Sequence, residues 1–306
     1  MAKLLQLARP QFLIASVALF TMGASWAIIL GSPFSLGRIL LGYLIILPAH
    51  LSVSYCNDYF DMDADKHGKP SLFSGGSGIL VEQPQLRNPA LWIAIALNLF
   101  SVGLGILFML KFSYPLWFLT YVVASNLIGW IYSAPPFKLV YRGYGELLTA
   151  FTSGCIVPGM GLLAVSGNLN RDGLIFMIPL TLYGLVFILS VEIPDMEADF
   201  LGEKKTWVVQ KGRKFGFTAI GSLLLIATGY FFLIPYLYSY TLPLDFRILG
   251  LFSLLPLAMG FLGWVKRPTG RQIALKLVNT LIGALAVFFI LTDIVMVVAA
   301  ASKVSA

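Results

Sequence analysis

Long apolar segments, separated by shorter polar ones, recur along the whole chain. They cover residues 11–31, 38–56, 89–110, 115–131, 147–166, 173–193, 215–235, 247–265 and 275–301. A helix needs about 20 mostly apolar residues to cross a bilayer, and backbone in lipid must satisfy its own hydrogen bonds. None of the segments shows the two-residue alternation of a membrane β-strand. The pattern therefore predicts an all-α, polytopic membrane protein with about nine transmembrane helices.

The composition agrees with this prediction. Of the 306 residues, 58% are hydrophobic and only 11% are charged, and the mean hydropathy is +0.86. Soluble domains carry about 25% charged residues. So few charges cannot cover a water-facing surface of this size. We expect the lipid bilayer to surround the protein, and we expect no nucleic acid among its partners.

The positive charges indicate an orientation. If the N-terminus is cytoplasmic, nine helices place 16 of the 21 Lys and Arg residues on the cytoplasmic side. Cytoplasmic loops of membrane proteins carry such an excess. We therefore expect a multi-pass protein of the cell membrane with a cytoplasmic N-terminus. Two cytoplasmic loops are long, 57–88 and 194–214, and each is expected to begin with a group of acidic residues.

The two acidic groups look like copies of one another. Residues 51–53 and 189–191 both read Leu-Ser-Val, and each group then contains Asp-Met-acidic-Ala-Asp, at 61–65 and 195–199. The copies lie about half a chain apart, at the cytoplasmic ends of even-numbered helices. Residues 1–306 are therefore expected to form one domain with two pseudo-repeated halves, about 1–146 and 147–306, whose acidic groups face each other.

The spacing within each group has a chemical meaning, because residues three or four apart share a helix face. Asn57, Asp61 and Asp65 form one stripe, with Asp58 at its edge. Asp195 and Asp199 form a second, which Glu192 extends backwards. Facing carboxylates repel unless cations lie between them, and Mg²⁺ prefers a few carboxylates together with ligand phosphates. The stripes predict Mg²⁺ between protein carboxylates and a diphosphate; a solvated acidic loop or helix-capping aspartates are the alternatives.

The pair of motifs, Asn57-Asp58-x-x-Asp61-x-x-x-Asp65 and Asp195-x-x-x-Asp199, resembles the signature of the UbiA superfamily of intramembrane prenyltransferases. The resemblance covers nearly the whole chain, from Arg9-Pro10 onward. It implies an isoprenyl-synthase-like helical bundle that transfers a prenyl chain from a polyprenyl diphosphate to an acceptor with Mg²⁺. We expect two ions, for which Mn²⁺ can substitute. The resemblance implies catalytic roles for Asp61 and Asp195, and these metal ligands: Asn57, Asp58, Asp61, Asp65, Asp195 and Asp199.

The segment after the fourth helix, residues 132–146, resembles one in which the family contacts the diphosphate through a tyrosine and a basic residue. Here the candidates are Tyr132 with Lys138 or Arg142, unless the basic residues only set the orientation. Further candidates for binding the diphosphate lie in or beside the aspartate motifs: Asn57, Lys66, Lys69 and Lys204. The glycine-rich residues 75–78 are either a bend or a lid over the site.

The acceptor is harder to predict. Residues 69–76, where many members carry an Arg-Pro-x-Arg-Pro-like run, and residues 143–146 resemble the menaquinone branch, which prenylates 1,4-dihydroxy-2-naphthoate. The other candidate acceptors are 4-hydroxybenzoate, homogentisate, porphyrin-derived acceptors and an archaeal-type glycerol-phosphate lipid, in which an alcohol oxygen attacks. Two other classes are considered. A secondary transporter would carry its acidic residues near the midplane. A phosphatidyl-alcohol transferase would carry an Asp-Gly-x-x-Ala-Arg run, which this sequence lacks.

Overall fold

The computed structural model describes residues 2–68, 73, 76–238 and 242–305, and this part of the chain is helical without strands. Eight of its helices are long and apolar enough to cross a membrane, and the apolar helix Leu116–Ile131 is shorter. The nine helices are α1 Pro10–Ile29, α2 Leu36–Asp65, α3 Arg87–Phe112, α4 Leu116–Ile131, α5 Gly145–Ser166, α6 Arg171–Leu201, α7 Arg213–Leu237, α8 Phe246–Lys266 and α9 Arg271–Ser305.

Helix α5 contains a π-helical segment, Thr152–Ile156. Short helical pieces lie outside the nine: Ala2–Gln6, Ile79–Glu82, Pro84–Leu86, Leu139–Arg142 and Trp207–Lys211. Each of the nine apolar segments predicted from the sequence coincides with one long helix. The prediction of an all-α, multi-pass membrane protein with about nine helices is therefore confirmed.

The predicted starts of the two long loops are wrong. Residues 57 and 194 do not leave the helices, because α2 continues to Asp65 and α6 continues to Leu201. The acidic residues lower the local hydropathy, but the extension of α2 still packs Met62 and Ala64 inside and exposes Asp63. Both motifs thus lie on regular helical turns at the ends of α2 and α6, as the proposed stripes require.

Helix α1 contacts both α5 and α9, while α2 and α3 lie side by side. The backbones of α1 and α5 touch. A Cβ atom on Gly23 would lie 1.8 Å from the carbonyl oxygen of Pro158, and one on Gly161 would lie 2.1 Å from that of Phe20. Small residues allow such close approach between membrane helices. These glycines fix α1 against one wall of the cavity described below.

Aromatic side chains fill the interior away from the motifs. Trp26 of α1 meets Phe246 of α8 with ring centroids 5.4 Å apart, and Tyr183 of α6 stacks on Phe288 of α9 at 4.5 Å. On the outside, large apolar side chains such as Trp92 are well exposed, at 69%. Such a surface suits hydrocarbon and not water. Aromatic packing therefore holds α1, α6, α8 and α9 together beside the cavity described below.

Candidate active site

Lys204 joins the two aspartate motifs. Its Nζ atom lies 3.0 Å from Oδ2 of Asp61 and 3.9 Å from Oδ1 of Asp199. Its backbone N–H donates to the carbonyl oxygen of Asp199 at 2.9 Å, which fixes the chain just after α6. Burial alone lowers the pKa of Lys204, but the carboxylates of Asp61, Asp199 and Asp65 outweigh burial and hold it well above the ordinary value. A buried positive charge therefore lies between the motifs.

Asp61 has a second partner from the loop after α4. The hydroxyl of Tyr141 donates to Oδ1 of Asp61 at 2.9 Å, and the Lys204 ammonium lies 5.9 Å from the Tyr141 ring centroid. Burial and the neighbouring Asp61 carboxylate raise the pKa of Tyr141. Tyr141 stays protonated and keeps donating, so both carboxylate oxygens of Asp61 are held in place.

Asp58 has different partners from those of Asp61. Nη2 of Arg9, at the start of α1, lies 2.7 Å from Oδ1 of Asp58, and the Ser77 hydroxyl donates to Oδ2. Asp58 is only 3% exposed, so this ion pair is desolvated. It ties α1 and the glycine-rich stretch to α2. The metal-binding role predicted for Asp58 stays a prediction, and the observed partner of Asp58 is Arg9.

The glycine-rich stretch lies directly against the first motif. Gly76 has φ +68°, and a Cβ atom there would lie 2.3 Å from Oδ2 of Asp65. Only glycine fits this approach without strain. Asp65 and Gly76 line a small polar cavity whose other walls carry Asp195, Asp199 and Lys204. Of the bend or lid predicted for residues 75–78, Gly75 lies outside the described residues.

A larger cavity of about 430 Å³ begins at the same residues and extends between α1, α2, α4, α5 and α6. Its polar end carries five of the charged or amide side chains discussed here, namely Arg9, Asn57, Asp195, Asp199 and Lys204. Its inner part is apolar and aromatic, and is lined by Phe12, Leu19, Ile46, Val53, Phe187 and Phe289, among others. One end can hold an anion and the other can hold a hydrocarbon chain.

Of the residues predicted for diphosphate binding near α4, Tyr132 lines this larger cavity, while Lys138 and Arg142 do not. Asn57 also lines it, and Oδ1 of Asn57 is buried without a hydrogen-bond donor among the described residues. The Lys138 ammonium lies 5.1 Å from the Tyr141 ring centroid, and Arg142 donates to the carbonyl oxygen of Pro136 at 2.7 Å.

The remaining predicted lysines differ from Lys204. Lys66 forms an exposed ion pair with Asp63 at 2.7 Å, on the outer side of α2. Lys69 lies outside the described residues. Among the residues that the structure describes, no three His, Cys, Asp or Glu side chains converge enough to hold a metal ion by themselves. One positive charge, that of Lys204, lies among the motif carboxylates and contacts Asp61 and Asp199.

A model of the UbiA prenyltransferase family matches residues 17–292. The chain belongs to this family. A relative from Bacillus subtilis, 1,4-dihydroxy-2-naphthoate octaprenyltransferase, is 24% identical over 72% of this chain and 70% of its own length. Homogentisate phytyltransferase from Synechocystis is 27% identical over 76% of this chain and 68% of its own. The chain is a prenyltransferase, as these UbiA relatives are.

The fold also matches solved UbiA structures. A UbiA homolog from Archaeoglobus fulgidus bound to GPP and Mg²⁺ has a TM-score of 0.66 at 15% identity, with 99% of this chain and 100% of that chain covered. The apo structure of a homolog from Aeropyrum pernix K1 has a TM-score of 0.62 at 17% identity, over 89% and 97%. At such low identity these likenesses show the fold alone.

Sequence reasoning did not assign two of the residues that form this UbiA site. Arg9 was noted only for its place before α1, and its isolated positive charge ahead of an apolar helix was the available signal. The sequence pattern predicts a role for Tyr132 and none for Tyr141, although both tyrosines lie in the same loop region. Nothing in the local pattern shows which tyrosine reaches an aspartate from another helix.

Proposed function

We propose that this UbiA prenyltransferase transfers a prenyl chain from a polyprenyl diphosphate to an aromatic acceptor of the 1,4-dihydroxy-2-naphthoate type, with Mg²⁺ as its cofactor. The observation that carries the proposal is a cavity of about 430 Å³ with a charged end and an apolar interior. A polyprenyl diphosphate has the same two-part character. The volume falls within the range of about 300–1,000 Å³ typical of small-molecule sites.

The charged end suits a metal diphosphate. Its donors are carboxylate and amide oxygens, the hard ligands that Mg²⁺ prefers, and Mg²⁺ usually completes its shell with water and substrate phosphates. Oδ1 of Asn57 is buried and receives no hydrogen bond from the described residues. We propose that Asn57, Asp61, Asp65, Asp195 and Asp199 hold two ions. When bound, Mg²⁺ supplies Lewis-acid stabilisation of the leaving diphosphate.

The chain's own cations act on the same group. Lys204 and Arg9 both line the cavity and can bind diphosphate oxygens as the bond between the prenyl carbon and oxygen breaks. Fixed positive charges in a water-poor site stabilise the negative charge that develops on the departing group. Lys204 is held by Asp61 and Asp199, so it is already oriented before the substrate arrives.

The inner part of the cavity protects the allylic cation. Phe12, Phe187 and Phe289 present aromatic faces there, with aliphatic side chains between them. An aromatic face attracts a cation, and an apolar wall excludes the water that would otherwise capture it. The prenyl tail of the donor occupies this region.

The acceptor type is supported by the relatives, two of which are named for aromatic substrates. The orientation is supported by the distribution of Lys and Arg, which places the N-terminus and both motifs on the cytoplasmic side. An aromatic acceptor attacks through a ring carbon. The glycerol-phosphate alternative attacks through an alcohol oxygen and is kept as an outcome of the test.

The test uses purified protein in lipid nanodiscs with labelled geranylgeranyl diphosphate and Mg²⁺. Separate reactions contain 1,4-dihydroxy-2-naphthoate, homogentisate, 4-hydroxybenzoate or a glycerol-phosphate lipid acceptor. We expect a prenylated naphthoate product, its loss in excess chelator, and its return with Mg²⁺ or Mn²⁺. Product from the glycerol-phosphate acceptor alone, or full turnover in chelator, would overturn the proposal.

A further inference from the structure

A buried pair of glutamates stands beside the cavity, one turn deeper in the membrane than the second motif. Glu192 is 5% exposed and lines the cavity, and apart from the neighbouring Glu146 carboxyl no described residue forms a hydrogen bond with its carboxylate oxygens. Glu146, at the start of α5, is 1% exposed and lies against it. A carboxyl group this buried, which faces a cavity and has only another carboxyl as its partner, indicates a group that binds something in that cavity.

Glu192 is placed differently from the motif carboxylates. It precedes Asp195 by three residues, which moves it about 4.5 Å along the axis of α6 toward the membrane interior. It therefore lies near where the diphosphate end of the cavity becomes apolar. Titratable groups approach Glu192 from four segments: Glu146 of α5, Asp199 of α6, Lys204 of the next loop and Tyr132 at the end of α4.

Glu146 is fixed from behind. The backbone N–H of Trp207 donates to its Oε1 atom, and Glu146 itself is not among the residues that line the cavity. Two buried carboxylates side by side repel each other, and a proton held between them removes this repulsion. With one shared proton the pair keeps a single negative charge, so it can accept a second proton from a bound hydroxyl and return it. Glu192 faces the substrate, and Glu146 positions it and shares the proton.

We propose that Glu192 is the base that binds and deprotonates the ring hydroxyl of a hydroxyaromatic acceptor, with Glu146 as its positioning partner. The inference rests on the proposed function, which it deepens by assigning a site to the acceptor. The hydroxyl donates to Glu192 and so holds the ring between the diphosphate end and the aromatic wall. No other carboxyl in this part of the cavity is needed by the metal-binding proposal.

The proposed prenyl transfer combines proton transfer, formation of a carbon–carbon bond and departure of the diphosphate. The acceptor hydroxyl gives its proton to Glu192, and the electron pair released into the ring forms a bond between a ring carbon and the terminal prenyl carbon. The bond from that prenyl carbon to the diphosphate oxygen breaks, and the diphosphate leaves with its electron pair. The substituted ring carbon then loses its proton to water, or its carboxylate as CO₂, and the electron pair of that bond restores the aromatic ring as a phenolate, which takes its proton back from Glu192. No oxidant or reductant is required.

The experiment compares Glu192→Gln, Glu192→Asp and wild type in nanodiscs with geranylgeranyl diphosphate and Mg²⁺. General-base catalysis contributes about 10²–10⁴-fold. We expect Glu192→Gln to lower kcat for prenyl transfer by about a hundredfold or more, and Glu192→Asp to lower it less. Slow release of diphosphate without acceptor, which measures ionisation of the donor, should stay near the wild-type rate. Glu203→Gln removes an exposed carboxylate of the neighbouring loop and is the matched control.

The deciding measurement uses a fluorinated acceptor whose ring hydroxyl is already ionised at the assay pH. With this acceptor, the ratio of the wild-type kcat to the Glu192→Gln kcat should fall by about tenfold or more, since the missing base is no longer needed. An equal loss with both acceptors, or an equal loss of donor hydrolysis, would overturn the inference. If wild type prenylates no hydroxyaromatic acceptor, the proposed function fails and the inference fails with it. If wild type is active and Glu192→Gln is undiminished, only the inference fails.

Discussion

Nζ of Lys204 lies 3.0 Å from Oδ2 of Asp61, so a lysine beside the second motif neutralises a carboxylate of the first. Both side chains are largely buried, at 13% and 8% exposure. Removing one member of a buried ion pair leaves an uncompensated charge and costs about 3–5 kcal/mol. Lys204 therefore stabilises the closed arrangement of the two motifs as well as facing the substrate site.

The first prediction is that Lys204→Met lowers the unfolding free energy by about 3–5 kcal/mol when measured in chelator. The change keeps the length of the side chain and removes its charge. Thermal or denaturant unfolding of the detergent-solubilised protein measures the effect. Lys205→Met is the matched control, because Lys205 is exposed and adjoins Lys204. Equal effects of the two substitutions would mean that the Asp61 contact contributes nothing specific.

The second prediction concerns the motif carboxylates. Asp61→Ala or Asp195→Ala should each lower kcat by about a thousandfold or more, because each removes a proposed metal ligand whose effect is largest as the diphosphate departs. Steady-state turnover of geranylgeranyl diphosphate with the naphthoate acceptor measures this loss.

Asp63→Ala provides the control for the first motif. Asp63 lies between the stripe residues on α2, but its side chain is exposed and pairs with Lys66. We expect its kcat to stay within about threefold of wild type, since an exposed ion pair contributes less than about 1 kcal/mol. A collapse of activity in Asp63→Ala would contradict the assignment of one helix face to the site.

The sequence was sufficient for the helices and for the faces of the motifs, because both depend on periodicity alone. It was insufficient for partners. Lys66 and Lys204 both follow an aspartate motif closely, yet Lys66 pairs with its neighbour Asp63 while Lys204 reaches another helix. The hydropathy of the sequence also predicts that both loops start at the motifs. It contains no information on long-range contacts, and here Arg9 and Lys204 neutralise buried carboxylates on helical turns.

The third prediction concerns Gly76. An alanine there would have to adopt φ +68° and would place its Cβ 2.3 Å from Oδ2 of Asp65. The left-handed conformation alone costs about 1–2 kcal/mol for a residue with a Cβ. Gly76→Ala should therefore displace Asp65 or the loop and lower kcat by about tenfold or more. The assay is turnover at saturating acceptor, with thermal unfolding measured in parallel.

Gly103→Ala is the matched change for this prediction. Gly103 lies in α3 at an ordinary φ, and a Cβ there meets no atom within 4 Å. We expect its kcat to be unchanged and its stability to be equal or slightly higher, because alanine favours a helix over glycine. If Gly76→Ala behaved in the same way, the close approach to Asp65 would have no functional weight.

The fourth prediction compares Lys138→Ala with Arg142→Ala. A residue that directly stabilises the leaving diphosphate should cost about 30- to 1,000-fold in kcat when removed. In the structure Lys138 lies over the Tyr141 ring and Arg142 donates to a backbone carbonyl. A cation–π contact contributes about 0.5–1 kcal/mol at exposed sites, so we expect losses below about tenfold for both. A hundredfold loss in either variant would return that residue to the diphosphate site.

The last prediction concerns topology. Single cysteines replacing His67, after the first motif, and Lys205, after the second, should react with a membrane-impermeant maleimide only in permeabilised cells. A cysteine replacing Lys111, at the other end of α3, should react in intact cells. All three native side chains are exposed, so reagent access depends on the membrane side alone. The unsubstituted protein, in which Cys56 is buried and Cys155 partly buried, gives the background. Labelling of positions 67 and 205 from opposite sides would contradict the facing motifs, and labelling of both only from outside would keep the site but reverse its orientation.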